Sequence, residues 1–248
     1  MKPFAKLDAL KARLDEYRPL DKAVTASLHE ELVLQWTYHS NAIEGNTLTL
    51  KETKVALEGI TIGGKTLCEH FEAINHRDAI LMVEELVEKQ RPLDEWTIKN
   101  LHQLVLKNID ADNAGRYRQV NVLISGAEHR PPSALQVPEL MAAFSQWCSN
   151  EAQQLHPVER AARIHGEFVK IHPFVDGNGR TSRLLMNLEL MKTGFPATVI
   201  EVAQRLDYYQ ALDKAHRSGD YSDFINLVAR AVEKSFATYW WALGIEAD

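Results

Sequence analysis

Apolar residues recur at helical spacing along almost the whole chain, as Ile164, Phe168 and Ile171 illustrate. Such a period of three to four residues is typical of helices that bury one face. Runs with the two-residue alternation of strands are scarce. The sequence therefore predicts an all-α helical bundle, with helices over about residues 4–17, 21–44, 50–58, 67–89, 93–107, 137–150, 157–171, 179–193 and 204–239, the last broken near Gly219.

One segment, residues 115–141, departs from the helical pattern. Val120, Val122 and Ile124 alternate with Asn121 and Leu123. Ser125 and Gly126 follow as a turn signal. This arrangement predicts a short β-hairpin between two helices. Taken alone, it fits a plain surface hairpin as well as a functional one.

Composition narrows the class of protein. The chain has 248 residues, 45% of them hydrophobic, which supports a sizeable core. A formal charge of −6 and the lack of a basic face argue against nucleic acid as a partner. Cys68 and Cys148 are too few for a disulfide framework or a metal site, and we expect both to be reduced and buried. No membrane span or signal peptide is recognisable, so we expect a cytoplasmic protein with no membrane partner.

The run HPFVDGNGRTSR, residues 172–183, carries the chemistry. Gly177, Asn178 and Gly179 allow successive amide groups to converge on one point, which makes an anion-binding nest. A buried helix begins there, and the positive end of its dipole also favours a phosphate. Arg180 and Arg183 share one face of that helix, and each can donate two parallel hydrogen bonds to phosphate oxygens. The pattern is typical of a site for a nucleoside triphosphate.

Two further side chains of this run suggest a reaction. Asp176 precedes the nest and offers a hard oxygen ligand, which indicates a Mg²⁺ site completed by phosphate and water. His172 follows a predicted helix, and a neutral imidazole is the usual group for removing a hydroxyl proton near neutral pH. Phe174 lies between them and more plausibly anchors the loop in the core.

This run resembles the signature of the Fic family, HxFx(D/E)GNGRxxR, and fills every specified position. The resemblance implies a Fic fold and an enzyme that transfers AMP from ATP to a Ser, Thr or Tyr hydroxyl of a protein, releasing pyrophosphate. By resemblance, His172 is the catalytic base and Asp176 binds Mg²⁺. Asn178 and the nest amides hold the α-phosphate, whereas Arg180 and Arg183 hold the remaining phosphates.

A second resemblance lies in SNAIEGN, residues 40–46. Ser40 and Glu44 lie four residues apart on one helical face, as in the family's inhibitory motif (S/T)xxxE(G/N). The resemblance implies that Glu44 pairs with Arg183 and blocks the γ-phosphate. Without the signature, Glu44 would be read as an ordinary exposed helix acid. We accordingly divide the chain into an inhibitory region, residues 1–48, and a catalytic core, residues 49–248.

The resemblance also suggests how substrates bind. The hairpin, residues 116–132, would be the family's flap, along which a target protein docks by main-chain hydrogen bonds. Tyr208, Tyr209 and His216 fall where relatives contact adenine, although a pair of core tyrosines explains the first two nearly as well and His216 replaces an asparagine. Homodimers are common in the family, but the sequence reveals no interface.

Two alternatives remain open. The protein could remove AMP from a modified protein, or it could be a regulatory module that binds ATP without chemistry. A third pattern, GITIGGKT at residues 59–66, literally matches a phosphate-binding loop. It lacks the preceding buried strand and the alternating strand and helix context, so we interpret it as a connector between two helices.

Overall fold

The structure is a computed structural model that describes residues 4–246. Within these residues the chain forms ten α-helices and three short 3-10 turns. In chain order the helices are α1 (Ala5–Asp15), α2 (Lys22–Ile43), α3 (Leu50–Leu57), α4 (Leu67–Glu88), α5 (Glu95–Val105), α6 (Val137–Ser149), α7 (Pro157–Ile171), α8 (Asn178–Lys192), α9 (Arg205–Ser218) and α10 (Ser222–Leu243). The all-α prediction is confirmed.

The ends of the helices follow local sequence signals. Gly219 has a φ of 74°, a conformation that glycine adopts at little cost, and it separates α9 from α10 as predicted. The last helix runs to Leu243, four residues beyond the predicted end. Trp240 explains the extension, because it is buried and continues the apolar face of α10.

The connector between α3 and α4 contains the GITIGGKT pattern. Its last residue, Thr66, caps α4, since its side chain accepts a hydrogen bond from Glu69 N while the Glu69 carboxylate accepts one from Thr66 N. Lys65, which would contact phosphate in a phosphate-binding loop, instead donates to the carbonyl oxygen of Thr47 at 2.5 Å. The interpretation as a helix connector is confirmed.

Helix α8 is the centre of the molecule, and nearly every residue from Asn178 to Leu190 is buried. Leu184 and Leu188 belong to one apolar core with α4 to α7, whereas Met186 and Leu190 belong to a second core with α1, α9 and α10. A helix covered on all sides in this way has little freedom to shift, because protein interiors are close-packed. Its first turn is therefore a rigid platform.

The predicted β-hairpin is the one element that the structure changes. Residues 116–133 form an irregular loop with a turn at Ser125 and Gly126, and no strand pairing occurs among the described residues. Side chains connect the two arms instead. Arg118 Nη2 donates across the loop to Pro132 O at 2.5 Å, while its Nη1 donates to Val120 O on its own arm at 2.9 Å. Because these bonds take the place of a strand ladder, residue alternation alone gave the wrong backbone pairing.

Two smaller expectations concern the cysteines and membranes. Cys148 is buried as expected, but Cys68 is exposed, so that prediction is wrong for Cys68. It lies in the first turn of α4, on the side that faces away from the core. None of the helices within residues 4–246 combines the length and the apolar character needed to cross a membrane.

Candidate active site

His172 is placed by the end of α7 and by a buried arginine. Its backbone is left-handed, with φ 51° and ψ 60°, and its amide still donates to Phe168 O at 3.0 Å. A non-glycine residue holds this conformation only when its surroundings stabilise it. The stabilising contact is the Nε of Arg118, which donates to the carbonyl oxygen of His172 at 2.8 Å.

The imidazole of His172 is a neutral group at physiological pH. Burial lowers its pKa to about 4, because the charged form loses its hydration. Its Nδ1 is buried and has no hydrogen-bond partner within residues 4–246. A neutral ring that faces a cavity can accept a proton from a substrate hydroxyl, which is the property that a general base needs.

Asn178 shapes the loop between His172 and α8. Its side-chain oxygen accepts from Phe174 N at 3.0 Å, and its side-chain nitrogen donates to Phe174 O at 2.9 Å. Both polar atoms of this buried side chain are therefore used within the loop. Any contact of Asn178 with a phosphate falls to its backbone amide, rather than to the side chain.

The glycines of the nest each meet a specific neighbour. Gly177 has a φ of 76°, and a Cβ there would lie 3.2 Å from His102 Nε2 and from Val105 Cγ1. The first hydrogen bond of α8 runs from Thr181 N to Gly177 O at 2.9 Å. The amides of the residues in between are not used within the helix, so they face the loop as anion-binding donors at a positive helix end.

Arg180 and Asp176 form the first of two charged clusters at this platform. Arg180 is buried, and it donates to Glu72 Oε1 at 3.0 Å and to Asp176 Oδ2 at 2.9 Å. Asn46 donates to the second oxygen of Glu72 at 2.8 Å. The Asp176 carboxylate remains 64% exposed, so it is oriented on one side by Arg180 and open on the other.

This arrangement suits a magnesium ion that is bound mainly by substrate. No group of three or more His, Cys, Asp or Glu side chains within residues 4–246 could hold a metal ion. Mg²⁺, however, commonly takes only one or two carboxylates and completes its shell with phosphate oxygens and water. The exposed, oriented Asp176 therefore fits the predicted role as a single hard ligand.

Arg183 is the centre of the second cluster. Its Nε donates to Ser40 Oγ at 3.0 Å, its Nη2 to Ser40 O at 2.8 Å and to Glu44 Oε1 at 2.7 Å, and its Nη1 to Tyr208 OH at 3.1 Å. Burial disfavours its charge, but Tyr208 and Glu44 more than compensate and raise the pKa of Arg183. The guanidinium is charged, and each of its three nitrogens donates to at least one of these partners.

Glu44 therefore lies directly over the start of α8. A Cβ added to Gly179 would be 2.1 Å from Glu44 Oε1, so only a glycine leaves room for the carboxylate. Glu44 is the C-cap residue that directly follows α2, and its side chain is 30% exposed. It occupies the space beside Arg183.

A cavity of about 660 Å³ lies next to this platform. Glu44, His172 and the predicted adenine residues Tyr208, Tyr209 and His216 all line it. The last three side chains differ in exposure and in hydrogen-bond partners, however. Tyr208 is buried and accepts a hydrogen bond from Arg183, Tyr209 is 40% exposed and donates to Ile43 O at 3.1 Å, and His216 Nε2 donates to Gly166 O at 2.9 Å.

Three residues that sequence reasoning missed position the site. His102 stacks on Phe174 with ring centroids 3.5 Å apart, accepts from Gly115 N, and donates to Asp176 O at 2.9 Å. The other two are Glu72 and Arg118, described above. A lone histidine, glutamate or arginine within a helix or loop carries no local signal, because its partners are distant in sequence.

Comparison with known proteins decides the family. A model of the Fic/DOC family matches residues 92–190. The structure superposes on residues 134–508 of Fic-1 from C. elegans with a TM-score of 0.87 and 34% sequence identity, over 96% of this chain and 71% of that one. The chain belongs to the Fic/DOC family.

Other Fic proteins extend the match. A Fic domain containing signaling protein from Bacteroides thetaiotaomicron superposes with a TM-score of 0.88 and 29% identity, over 96% of this chain and 97% of that one. Protein adenylyltransferase Fic of Nematostella vectensis is 40% identical over 224 residues, which are 89% of this chain and 51% of that protein. This Fic chain thus spans about half the length of the curated relatives that it matches.

Proposed function

We propose that this Fic chain is an autoinhibited protein adenylyltransferase, which transfers AMP from ATP to a Ser, Thr or Tyr hydroxyl of a protein. The observation that carries the proposal is the placement of the Glu44 carboxylate 2.7 Å from Arg183, at the start of α8 and on the cavity that His172 also lines. A carboxylate there imitates a phosphate for Arg183 and repels an incoming triphosphate.

The residues account for the chemistry of transfer. The target hydroxyl attacks the α-phosphorus while His172, neutral near pH 7, accepts its proton, and the bond to the β-phosphate breaks to release pyrophosphate. The amides at the start of α8 stabilise the charge that develops on the α-phosphate oxygens. Mg²⁺ bound at Asp176 would supply further positive charge to the phosphates.

The two arginines play different parts in this proposal. Arg183 would bind the γ-phosphate once Glu44 has moved away, because its guanidinium would then regain a free pair of donors. Arg180 is held by Glu72 and Asp176, so it contributes mainly by orienting the metal ligand. We accordingly retain residues 1–48 as the inhibitory region and residues 49–248 as the catalytic core.

The loop of residues 116–132 is the proposed docking edge for the target protein. Because its arms are tied by Arg118 and not by a strand ladder, main-chain groups along it remain able to pair with an extended peptide. Arg118 also holds His172, so the loop and the base are fastened to one side chain. Of the three predicted adenine residues, Tyr209 is the best candidate for contact with adenine, since Tyr208 is engaged with Arg183 and His216 is buried with its Nε2 engaged with Gly166 O.

The decisive experiment uses ATP radiolabelled on the α-phosphate with Mg²⁺. We expect label on protein with Glu44→Gly and little with wild type, because the variant frees Arg183. The double variant Glu44→Gly/His172→Ala should bind ATP and transfer nothing. Absence of label in all three proteins would reject adenylyl transfer from ATP, and label in the double variant would exclude His172 as the base.

One observation favours a second candidate, the removal of AMP. Glu44 and His172 line the same cavity, so Glu44 could orient a water molecule for attack on a protein-bound AMP. In that case wild type, but not Glu44→Gly, would release AMP from a protein previously labelled by the Glu44→Gly variant. A purely regulatory module would bind ATP and show neither reaction. Cytoplasmic location and homodimer formation stay predictions.

A further inference from the structure

A groove between α6 and α7 lies beside the proposed docking loop and has no part in the site described so far. Its volume is about 620 Å³, and Phe144, Trp147 and Ile171 form its floor. Pro132, on the outgoing arm of the loop, forms one wall. Since Ile171 directly precedes His172, the groove begins one residue away from the catalytic base.

The loop wall of the groove is fixed to α7. His129 Nε2 donates to the carbonyl oxygen of Lys170 at 2.9 Å, and Arg118 donates to Pro132 O at 2.5 Å. Arg118 also donates to His172 O. The groove, the loop and the base therefore keep a fixed geometry relative to one another.

The groove offers unused polar groups. Arg130 at its rim is exposed and has no ion-pair or hydrogen-bond partner in the described part of the chain. The indole N–H of Trp147, at an intermediate depth, is likewise without a hydrogen-bond partner within residues 4–246. Buried or half-buried indole groups usually find an acceptor, which makes Trp147 a natural anchor for a ligand with oxygen atoms.

The charge of the groove is positive although the chain carries −6. Arg130, Arg163 and Lys170 line it together with a single acid, Glu167. Arg163 is paired with Glu159 at 2.8 Å, and Lys170 lies 3.9 Å from Glu167, so the uncompensated charge is that of Arg130. An apolar floor with a cationic rim favours a segment that combines an aromatic or aliphatic anchor with acidic residues.

We propose that this groove binds an acidic segment of the target protein with one apolar anchor, close to the modified hydroxyl. The inference rests on the proposed function for the identity of its occupant. The groove follows α7 from Ile171 to Arg163. This part of α7 is about 12 Å long, since each residue of a helix adds about 1.5 Å. An extended peptide covers that length in about four residues, so the anchor and the acids lie within about four residues of the hydroxyl.

The test measures binding and transfer separately. Three fluorescently labelled peptides each contain one threonine. The first carries Phe and two Glu within four residues on the carboxyl side, the second carries them on the amino side, and the third has Lys in place of Glu. Binding to Glu44→Ala protein is followed by fluorescence anisotropy at low salt. We expect one acidic peptide to bind about tenfold more tightly than the lysine peptide, with the difference shrinking at high salt.

Variants of the groove locate the binding. Arg130→Glu should abolish the preference, and Trp147→Phe, which keeps the ring but removes the N–H, should weaken the acidic peptide severalfold. Arg230→Glu, an exposed charge reversal on α10, is the matched control and should leave the preference intact. Thermal unfolding of each variant confirms that it is folded.

Two outcomes would overturn the inference: equal binding of all three peptides, or a preference that survives Arg130→Glu. The proposed function is judged by a different signal, namely self-labelling of the Glu44→Ala protein with radiolabelled ATP. Peptide preference without self-labelling would preserve the groove and reject adenylyl transfer. Self-labelling without peptide preference would support adenylyl transfer and reject the proposed role of the groove.

Discussion

Arg180 and Arg183 lie three residues apart on α8, and both are 2% exposed, yet they are neutralised in different ways. Arg180 is held by Glu72 and Asp176, one on α4 and the other on the signature loop. Arg183 is held by Glu44, on the end of α2, together with neutral partners. The difference teaches that one buried arginine is part of the scaffold, whereas the other is poised to exchange its carboxylate for a phosphate.

Removal of Glu44 should have the largest effect on activity. Glu44→Ala frees Arg183 for the γ-phosphate, and we expect AMP transfer to rise about a hundredfold, the scale of losing one desolvated charged contact. Stability should fall by about 3 kcal/mol, because the buried Arg183 then keeps only the neutral partners Ser40 and Tyr208. Radiolabel transfer and urea unfolding measure the two effects. An unchanged transfer rate would show that Glu44 is not a brake.

The matched change removes Glu72, the partner of Arg180, and it should lower AMP transfer rather than raise it. Glu72→Ala leaves Arg180 still paired with Asp176, so we expect a smaller loss of stability, about 1 kcal/mol. Transfer in the Glu44→Ala background should fall about tenfold, because a misplaced Asp176 weakens the metal site. Equal stabilities of Glu44→Ala and Glu72→Ala proteins in urea would remove the distinction between the two arginines.

Low pH should destabilise the folded protein, because the buried His102 beside Asp176 becomes protonated less readily in the folded than in the unfolded chain. Burial lowers the pKa of His102 to about 4, below the usual 6.5. The unfolded chain therefore binds the extra proton first as the pH falls, so stability is constant above about pH 6.5 and declines from there toward about pH 4. The full contribution is on the order of 3 kcal/mol. In urea titrations at pH 7 and pH 5, His102→Gln should show a smaller decline than wild type, and an equal decline would contradict this assignment.

The smallest effect concerns Ser40. Ser40→Ala removes the hydroxyl that accepts from Arg183 Nε but leaves the backbone oxygen and Glu44 in place. We expect a loss of about 1 kcal/mol of stability and an increase in AMP transfer of a few fold, since Arg183 is less firmly held toward α2. A rise as large as that of Glu44→Ala would mean that Ser40 is an equal part of the brake.

The sequence predicted the helices because their signals are local. Apolar spacing, the Thr66 cap and the break at Gly219 each depend on residues within one or two turns. The loop at residues 116–132 shows the limit of such reasoning. Its alternation resembles a strand pair, but Arg118 reaches across to Pro132 O and connects the two arms in place of a strand ladder, which no local pattern reveals.

The sequence by itself determined the family, the helical fold and the signature from His172 to Arg183, because these depend on residue type at fixed spacing. Only the tertiary structure decided that Asn178 closes its own loop and that His102 lies beneath Asp176. It also decided that Glu72, 108 residues from Arg180, neutralises it. Such pairings arise when packed helices bring distant side chains into contact, and a buried charge then requires whichever partner the packing supplies.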